Sequence, residues 1–335
     1  MVKKFYILFI ISIITFSSYA QDIHFSQFYY SPLTLNPANT GRFDGDWRLS
    51  NIFRTQWGAV SKEPYNTISV GLDKRLKLFG RNFGAGIYFL NDNSGSADLT
   101  ANKIMISLAY QTQYNGYKIS GGIQLGFVNK KFNSKVSYPS QFDRNIGEFN
   151  PDLANNENDL NESTSYLDVN AGIIVSRKFG KIEPEFGYSL FHVTNPTEQF
   201  GTIKNRLPLR HIIHVGTKID LSKKFFAKPR ILYMNHKRAA DMIWGVNFGY
   251  NLPQNNYYAK SVFFGPHIRT VLSQTDAIIF AVGLNFTNMD IGVSYDVNIS
   301  SLNPATSHKG ALEITLIYRS KNTTAKKIAI PCDRF

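Results

Sequence analysis

The chain has 335 residues, a formal net charge of +13 and an aromatic content of 14 %, with 18 Tyr and 26 Phe. Its single cysteine, Cys332, excludes an internal disulfide and any cysteine-based metal site. After the first twenty residues no run approaches the roughly 18 consecutive apolar residues of a spanning helix, so any membrane crossing must be made by strands.

Residues 1–20 read as a secretory signal peptide. Lys3 and Lys4 form a basic start, Phe5 to Phe16 a short apolar run, and Ser18 and Ala20 place small residues before a cleavage point. The mature chain is expected to begin at Gln21. Losing Lys3 and Lys4 lowers the formal charge from +13 to +11. No cysteine follows the apolar run, which argues against a lipid anchor.

Residues 21–45 do not alternate. Pro32 and Pro37 interrupt them, and Gly41 and Gly45 mark turns. Phe25, Phe28, Tyr29 and Tyr30 are apolar anchors in this otherwise irregular segment. Two places suit it, the mouth of a barrel or its lumen, because irregular backbone at membrane depth survives only inside protein or water.

From residue 46 strands come in series. The candidates are 46–60, 65–78, 82–95, 100–115, 117–133, 165–179, 182–196, 211–222, 225–236, 239–251, 257–270, 276–288, 289–300 and 308–320. That is about fourteen, an even number, as single-chain bacterial barrels have. Trp244, Val246 and Phe248 share a face against Gly245, Asn247 and Gly249. Phe280, Val282 and Leu284 oppose Ala281, Gly283 and Asn285. Val293, Tyr295 and Val297 oppose Ser294, Asp296 and Asn298. In the last strand Leu312, Ile314, Leu316 and Tyr318 oppose Ala311, Glu313, Thr315 and Ile317. This period of two predicts bulky apolar side chains toward lipid and small or hydrogen-bonding ones toward a lumen. Paired with the first strand, the last would close the sheet and remove its edges.

Connection lengths and charge then separate two ends. If the first strand starts in the periplasm, the long connections (92–99, 134–164, 197–210, 301–307) face outward, and tight ones such as Asn115-Gly116 face inward. The 134–163 loop holds Asp143, Glu148, Asp152, Glu157, Asp159 and Glu162 against Lys135 and Arg144. The inferred periplasmic turns collect Lys74, Arg75, Lys77 and Arg81, then Arg177, Lys178 and Lys181, then Lys223 and Lys224, and the tail 321–335 is basic as well. These are the candidate contacts for acidic segments of partner proteins.

Enzyme signatures are missing: there is no phosphate-binding loop, nucleophile elbow or paired-histidine zinc motif. His211 and His214, three apart in a strand, belong on opposite faces. Glu183 and Glu185 share a face and read as lumen lining. The stretch 150–161 lacks the ligand order and glycine of a calcium loop. Scattered lysines on an exported barrel do not make a nucleic-acid surface. No cofactor is expected.

The residues after the signal peptide carry something more specific. Ser26-Gln27-Phe28, Tyr30, Pro32, Asn36-Pro37-Ala38 and Gly41, followed by Phe53-Arg54, Gln56-Trp57 and Asp73, resemble the PorP/SprF family of type IX secretion system membrane proteins. The resemblance covers about the first fifth of the chain. The Asn-Pro-Ala element also resembles the start of FadL-type hydrophobic-compound channels. The likeness implies a cell outer membrane barrel of gliding or secreting bacteria of the Bacteroidetes type. It implies a role with the type IX machinery in exporting, or attaching to the surface, a large adhesin through its C-terminal domain. The combined reading is an all-β, up-and-down transmembrane barrel over 46–320 that binds rather than catalyses. A diffusion channel for small hydrophobic compounds is the alternative, and a soluble secreted β-domain is the third reading.

Overall fold

The computed structural model describes residues 23–58, 63–95, 99–132, 141–143, 146–150, 153, 163–237, 239–253, 259–271, 274–301 and 303–321. The expected signal peptide and cleavage point, most of the 134–163 loop and the tail beyond residue 321 fall outside them.

Fourteen antiparallel strands form one closed barrel. They are β1 (Trp47–Gln56), β2 (Tyr65–Leu78), β3 (Arg81–Ser94), β4 (Leu99–Tyr114), β5 (Tyr117–Lys131), β6 (Ser163–Arg177), β7 (Glu185–Phe191) and β8 (Arg210–Gly216). Then come β9 (Phe225–His236), β10 (Ala239–Asn251), β11 (Ala259–Val271), β12 (Gln274–Phe286), β13 (Met289–Asn298) and β14 (Lys309–Arg319). Each strand pairs with its neighbours in sequence, and β1 pairs with β14 from Arg48↔Arg319 to Gln56↔Ala311. Closure matters physically. In hydrocarbon an unpaired backbone group costs several kcal/mol, so a membrane sheet must have no free border.

The alternation places its two residue sets as the sequence predicts. Leu72, Ile87, Ile106, Leu125, Leu167, Trp244, Phe248, Phe280, Val282, Tyr295 and Ile314 stand exposed on the outer face. Their strand neighbours Ser107, Gln124, Asp168, Asn247, Ala281, Asp296 and Glu313 are buried on the inner one. His211 is partly exposed and His214 buried, as the three-residue spacing requires.

Two strands are shorter than their sequence suggests. The stretches 182–196 and 211–222 shrink to the seven-residue β7 and β8, with a two-residue strand at Ile219–Asp220. Positive φ values at His192 and Asn195, next to Pro196, end β7 early. The chain then forms a hairpin, Thr197–Phe200 with Ile203–Arg206, inside what reads as a plain loop. This hairpin turns toward the inner face of β5 and β6: Gln199 donates its N–H to Thr164 Oγ1, Glu198 pairs with Lys130, and Leu207 packs with Val128 and Tyr166.

The end where β1 starts and β14 finishes is called the base, the opposite end the mouth. The connections 79–80, 115–116 and 287–288 lie at the base. The two longest, 132–162 and 192–209, lie at the mouth.

Candidate functional site

The inner face encloses residues 23–42, which run from mouth to base. Three short turns break the segment, Phe28–Tyr30, Pro32–Leu35 and Pro37–Asn39, where the sequence suggests only irregular chain. Proline at the first position of the second and third turns supplies the helical φ without an N–H to satisfy. Asn36 caps the third turn, accepting from Ala38 N at 2.9 Å.

Apolar side chains on this segment point to opposite walls. Phe28 and Leu35 pack with Phe191, Ile212, Leu232, Met234, Ile243 and Ile279. Phe25 and Leu33 pack with Ile52, Tyr88, Leu90 and Met105, and Tyr30 packs with Phe263, Ala281 and Ile317. The lumen is thus more apolar than a face of small and hydrogen-bonding residues. An empty lumen would hold water, so each of these side chains gains about 1.5–3 kcal/mol from burial.

Near the mouth the segment is held by charge. Glu313 accepts from Ser26 N at 2.7 Å, Gln27 N at 2.8 Å and Arg54 Nη1 at 2.6 Å. Asp296 accepts from Ser26 Oγ at 2.8 Å, Arg269 Nη1 at 2.7 Å and Arg54 Nη2 at 3.3 Å. Arg54 also donates to Gln56 Oε1, and Arg269 Nε to Asp276 at 2.7 Å. Asp296 and Glu313 have no exposed surface at all. Five wall strands, β1 and β11 to β14, therefore meet at Ser26 and Gln27.

Near the base a second ion pair does the same. Arg48 grips Asp73 through Nε and Nη2 at 2.9 and 2.8 Å, and Nη2 also donates to Asn39 O at 3.0 Å. Asp73 accepts from Gly41 N at 2.7 Å. Gly41 has φ +69, and a Cβ there would lie 2.6 Å from Gly84 Cα, so glycine is needed on both counts.

Between the clusters the wall bonds the segment's backbone. Gln124 Nε2 donates to Leu33 O, Ser189 Oγ to Leu35 O and Ser120 Oγ to Ala38 O, all at 2.7–2.9 Å. Asn36 Nδ2 reaches Ile173 O and Tyr188 O, on β6 and β7, at 3.2 Å each. Asn36 and Pro37 approach so closely that a Cβ at Gly172 would sit 2.1 Å from Asn36 Oδ1.

Most residues of the N-terminal motif therefore share one structure. Ser26, Gln27, Arg54 and Gln56 belong to the mouth cluster, and Gly41 and Asp73 to the base cluster. Phe28, Tyr30, Pro32 and Asn36-Pro37-Ala38 are buried against the wall. Phe53 lies on the outer face and takes no part. Trp57 sits at the mouth rim near Tyr65, ring centroids 6.3 Å apart. Arg48, Arg269, Asp296 and Glu313 were not singled out from the sequence as site residues. Their signal was available: each is a charge on the inner face of an otherwise alternating strand.

The nine basic candidates all gather at the base. Lys74, Arg75, Lys77 and Arg81 lie along the β2–β3 hairpin, Arg177, Lys178 and Lys181 around the β6–β7 connection, and Lys223 and Lys224 before β9. All except Arg177 are exposed; its guanidinium stands 4.5 Å from the Tyr117 ring and 5.2 Å from the Phe179 ring. Glu183 and Glu185 are not a free pair. Lys118 bonds Glu183 at 2.7 Å and holds its carboxyl below the ordinary value, and Arg42 pairs with Glu185 at 2.5 Å.

Cavities remain at both ends. Two at the mouth, about 440 and 310 Å³, share His24, Arg54, Gln56 and Trp57. One at the base, about 490 Å³, is lined by Arg42, Arg75, Gln111, Lys118 and Glu183. Between segment and wall near Phe28, Leu35 and Ile212 the space is only about 20 Å³. No group of three or more metal-ligating side chains occurs among the described residues.

A closed fourteen-strand barrel with an apolar exterior is the fold of an outer-membrane β-barrel protein. The model of the type IX secretion system membrane protein family PorP/SprF matches residues 17–318, and the chain belongs to that family. It is an outer-membrane component of the type IX secretion system, a class of secretion components rather than catalysts. Among solved structures the chain is similar in fold to the toluene transporter TbuX of Ralstonia pickettii. The TM-score is 0.50 at 11 % identity, over 87 % of this chain and 93 % of that one. The CymD monoaromatic hydrocarbon channel gives 0.49 at 10 % identity, over 88 % and 93 %. No curated protein matches the chain significantly.

Proposed function

We propose that the barrel is a binding platform: its mouth holds the C-terminal domain of an exported surface adhesin, and its base docks on the export machinery. The observation that carries this reading is the filled lumen. Residues 23–42 are fixed from mouth to base by two buried ion clusters and by backbone hydrogen bonds. A polypeptide has no room to pass beside them, so cargo is met outside the wall. The mouth carries the two longest connections, 132–162 and 192–209, which offer that surface. No connection at the base is as long as 132–162 or 192–209, which fits the periplasmic side of bacterial barrels. The basic residues there suit acidic partner segments.

The hydrophobic-compound channel finds less support. It needs an apolar path, and the cavity between the N-terminal segment and the wall near Phe28, Leu35 and Ile212 is only about 20 Å³. Deleting 137–160, within the acidic mouth loop, tests the platform directly. Adhesin display on whole cells, measured by antibody labelling, is expected to fall at least fivefold at unchanged barrel abundance. Intact display would remove the mouth from the model.

A further inference from the structure

The β2–β3 turn contains an apolar side chain that the barrel itself does not use. Leu78 and Arg81 are a register pair, so Phe79 and Gly80 form a two-residue turn, with φ values of +52° and +73°. Positive φ at both positions is the mirror-image type I hairpin turn, whose first position favours asparagine, aspartate or glycine. The neighbouring β4–β5 turn follows that rule with Asn115 and Gly116, φ +46° and +80°. Phenylalanine in the left-handed region is unfavourable, because its Cβ crowds the backbone there. Packing does not offset this, since Phe79 is 98 % exposed and Leu78 beside it 48 %.

The surroundings say what would cover it. From Lys74 to Arg81 the hairpin holds Lys74, Arg75, Lys77 and Arg81 and no acidic residue. All four are exposed, and none forms an ion pair among the described residues. Trp47, beside Tyr318 at a ring distance of 5.2 Å, belongs to the aromatic girdle at the base and is in register with Lys74. The strand continues from Lys74 to Leu78, so on a tilted strand Phe79 stands roughly 10 Å past that girdle. That position favours a protein surface over the bilayer. Aromatic residues and arginine, here Phe79 with Arg75 and Arg81, are also enriched at protein interfaces.

The geometry points to the β2–β3 turn as a docking finger: Phe79 inserts into an apolar pocket of a periplasmic protein whose rim is acidic, and Lys77 and Arg81 pair with that rim. This rests on the base facing the machinery, and it adds the anchor and the chemistry of its receptor.

The test uses the full chain in cells that carry the export system. A photoreactive p-benzoylphenylalanine replaces Phe79, and adducts are identified by mass spectrometry. The expected result is a protein adduct mapped to an acidic segment, reduced at least tenfold by Lys77→Glu with Arg81→Glu and by raising NaCl from 50 to 500 mM. Phe79→Asn, which gives this turn the same residues as the β4–β5 turn, is expected to keep barrel abundance and heat stability while lowering adhesin display at least fivefold. A lipid adduct, no adduct, or unchanged display in Phe79→Asn overturns the inference. If deletion of 137–160 abolishes display while Phe79→Asn does not, the mouth platform stands and only the finger falls.

Discussion

Glu313 shows how one side chain can fix a segment far away in sequence. Its two oxygens take the backbone N–H groups of Ser26 and Gln27 together with Arg54 Nη1. Removing it leaves two buried N–H donors without their acceptor and takes one of two carboxylates from the Arg54 guanidinium; removing Arg54 takes the cation from Glu313 and one of two cations from Asp296. Breaking one partner of a buried pair costs about 3–5 kcal/mol, whereas replacing both with apolar groups costs far less. Glu313→Leu and Arg54→Met are therefore each expected to lower the unfolding temperature, read from the heat-dependent mobility shift on SDS gels. The double variant is expected to be clearly more stable than the sum of the two. Simple additivity would show that the contacts do not act as a unit. At this scale the sequence was only partly legible. Arg54 stood in a motif, but Glu313 was simply one inward position of the last strand. What joins them is the β1–β14 closure, which brings together residues 259 apart in the chain.

At the scale of elements, the fourteen strands were legible because lipid on one side and an enclosed lumen on the other impose a strict period of two. The period breaks where local geometry overrides it. Pro196 and the left-handed His192 and Asn195 shorten β7, and the hairpin Thr197–Arg206 was invisible because its partner surface, Thr164, Tyr166 and Lys130, lies across the lumen face. The N-terminal segment fails for a related reason: its three short turns are set by contacts with opposite walls and leave no periodicity. The ladder from β1 round to β14 is complete without that segment. Deleting residues 23–41 is therefore expected to leave an assembled barrel with an open lumen. Planar bilayers should then show discrete conductance steps, where the full chain is closed. A silent deletion variant that still resists SDS would mean that the wall collapses inward.

At the scale of the whole molecule, the candidate cations gather at one end. The base carries Lys74, Arg75, Lys77, Arg81, Lys178, Lys181, Lys223 and Lys224 on its surface, while the loop 134–163 holds six carboxylates against two cations. Single surface charges contribute little, about 0–1 kcal/mol each. A group of like charges acts differently, because its summed field raises the encounter rate with an oppositely charged partner and is screened beyond about 8 Å at physiological salt. The two halves of the platform should consequently separate by ionic strength. Reversing Arg177, Lys178 and Lys181 to glutamate is expected to slow association with the machinery severalfold at 50 mM salt and hardly at all at 500 mM, with cargo held at the mouth unaffected. Association rates on immobilised outer-membrane particles measure this. A loss that persists at high salt would instead assign that turn a packed contact, and Phe179, half exposed beside Arg177, is the side chain that would make it.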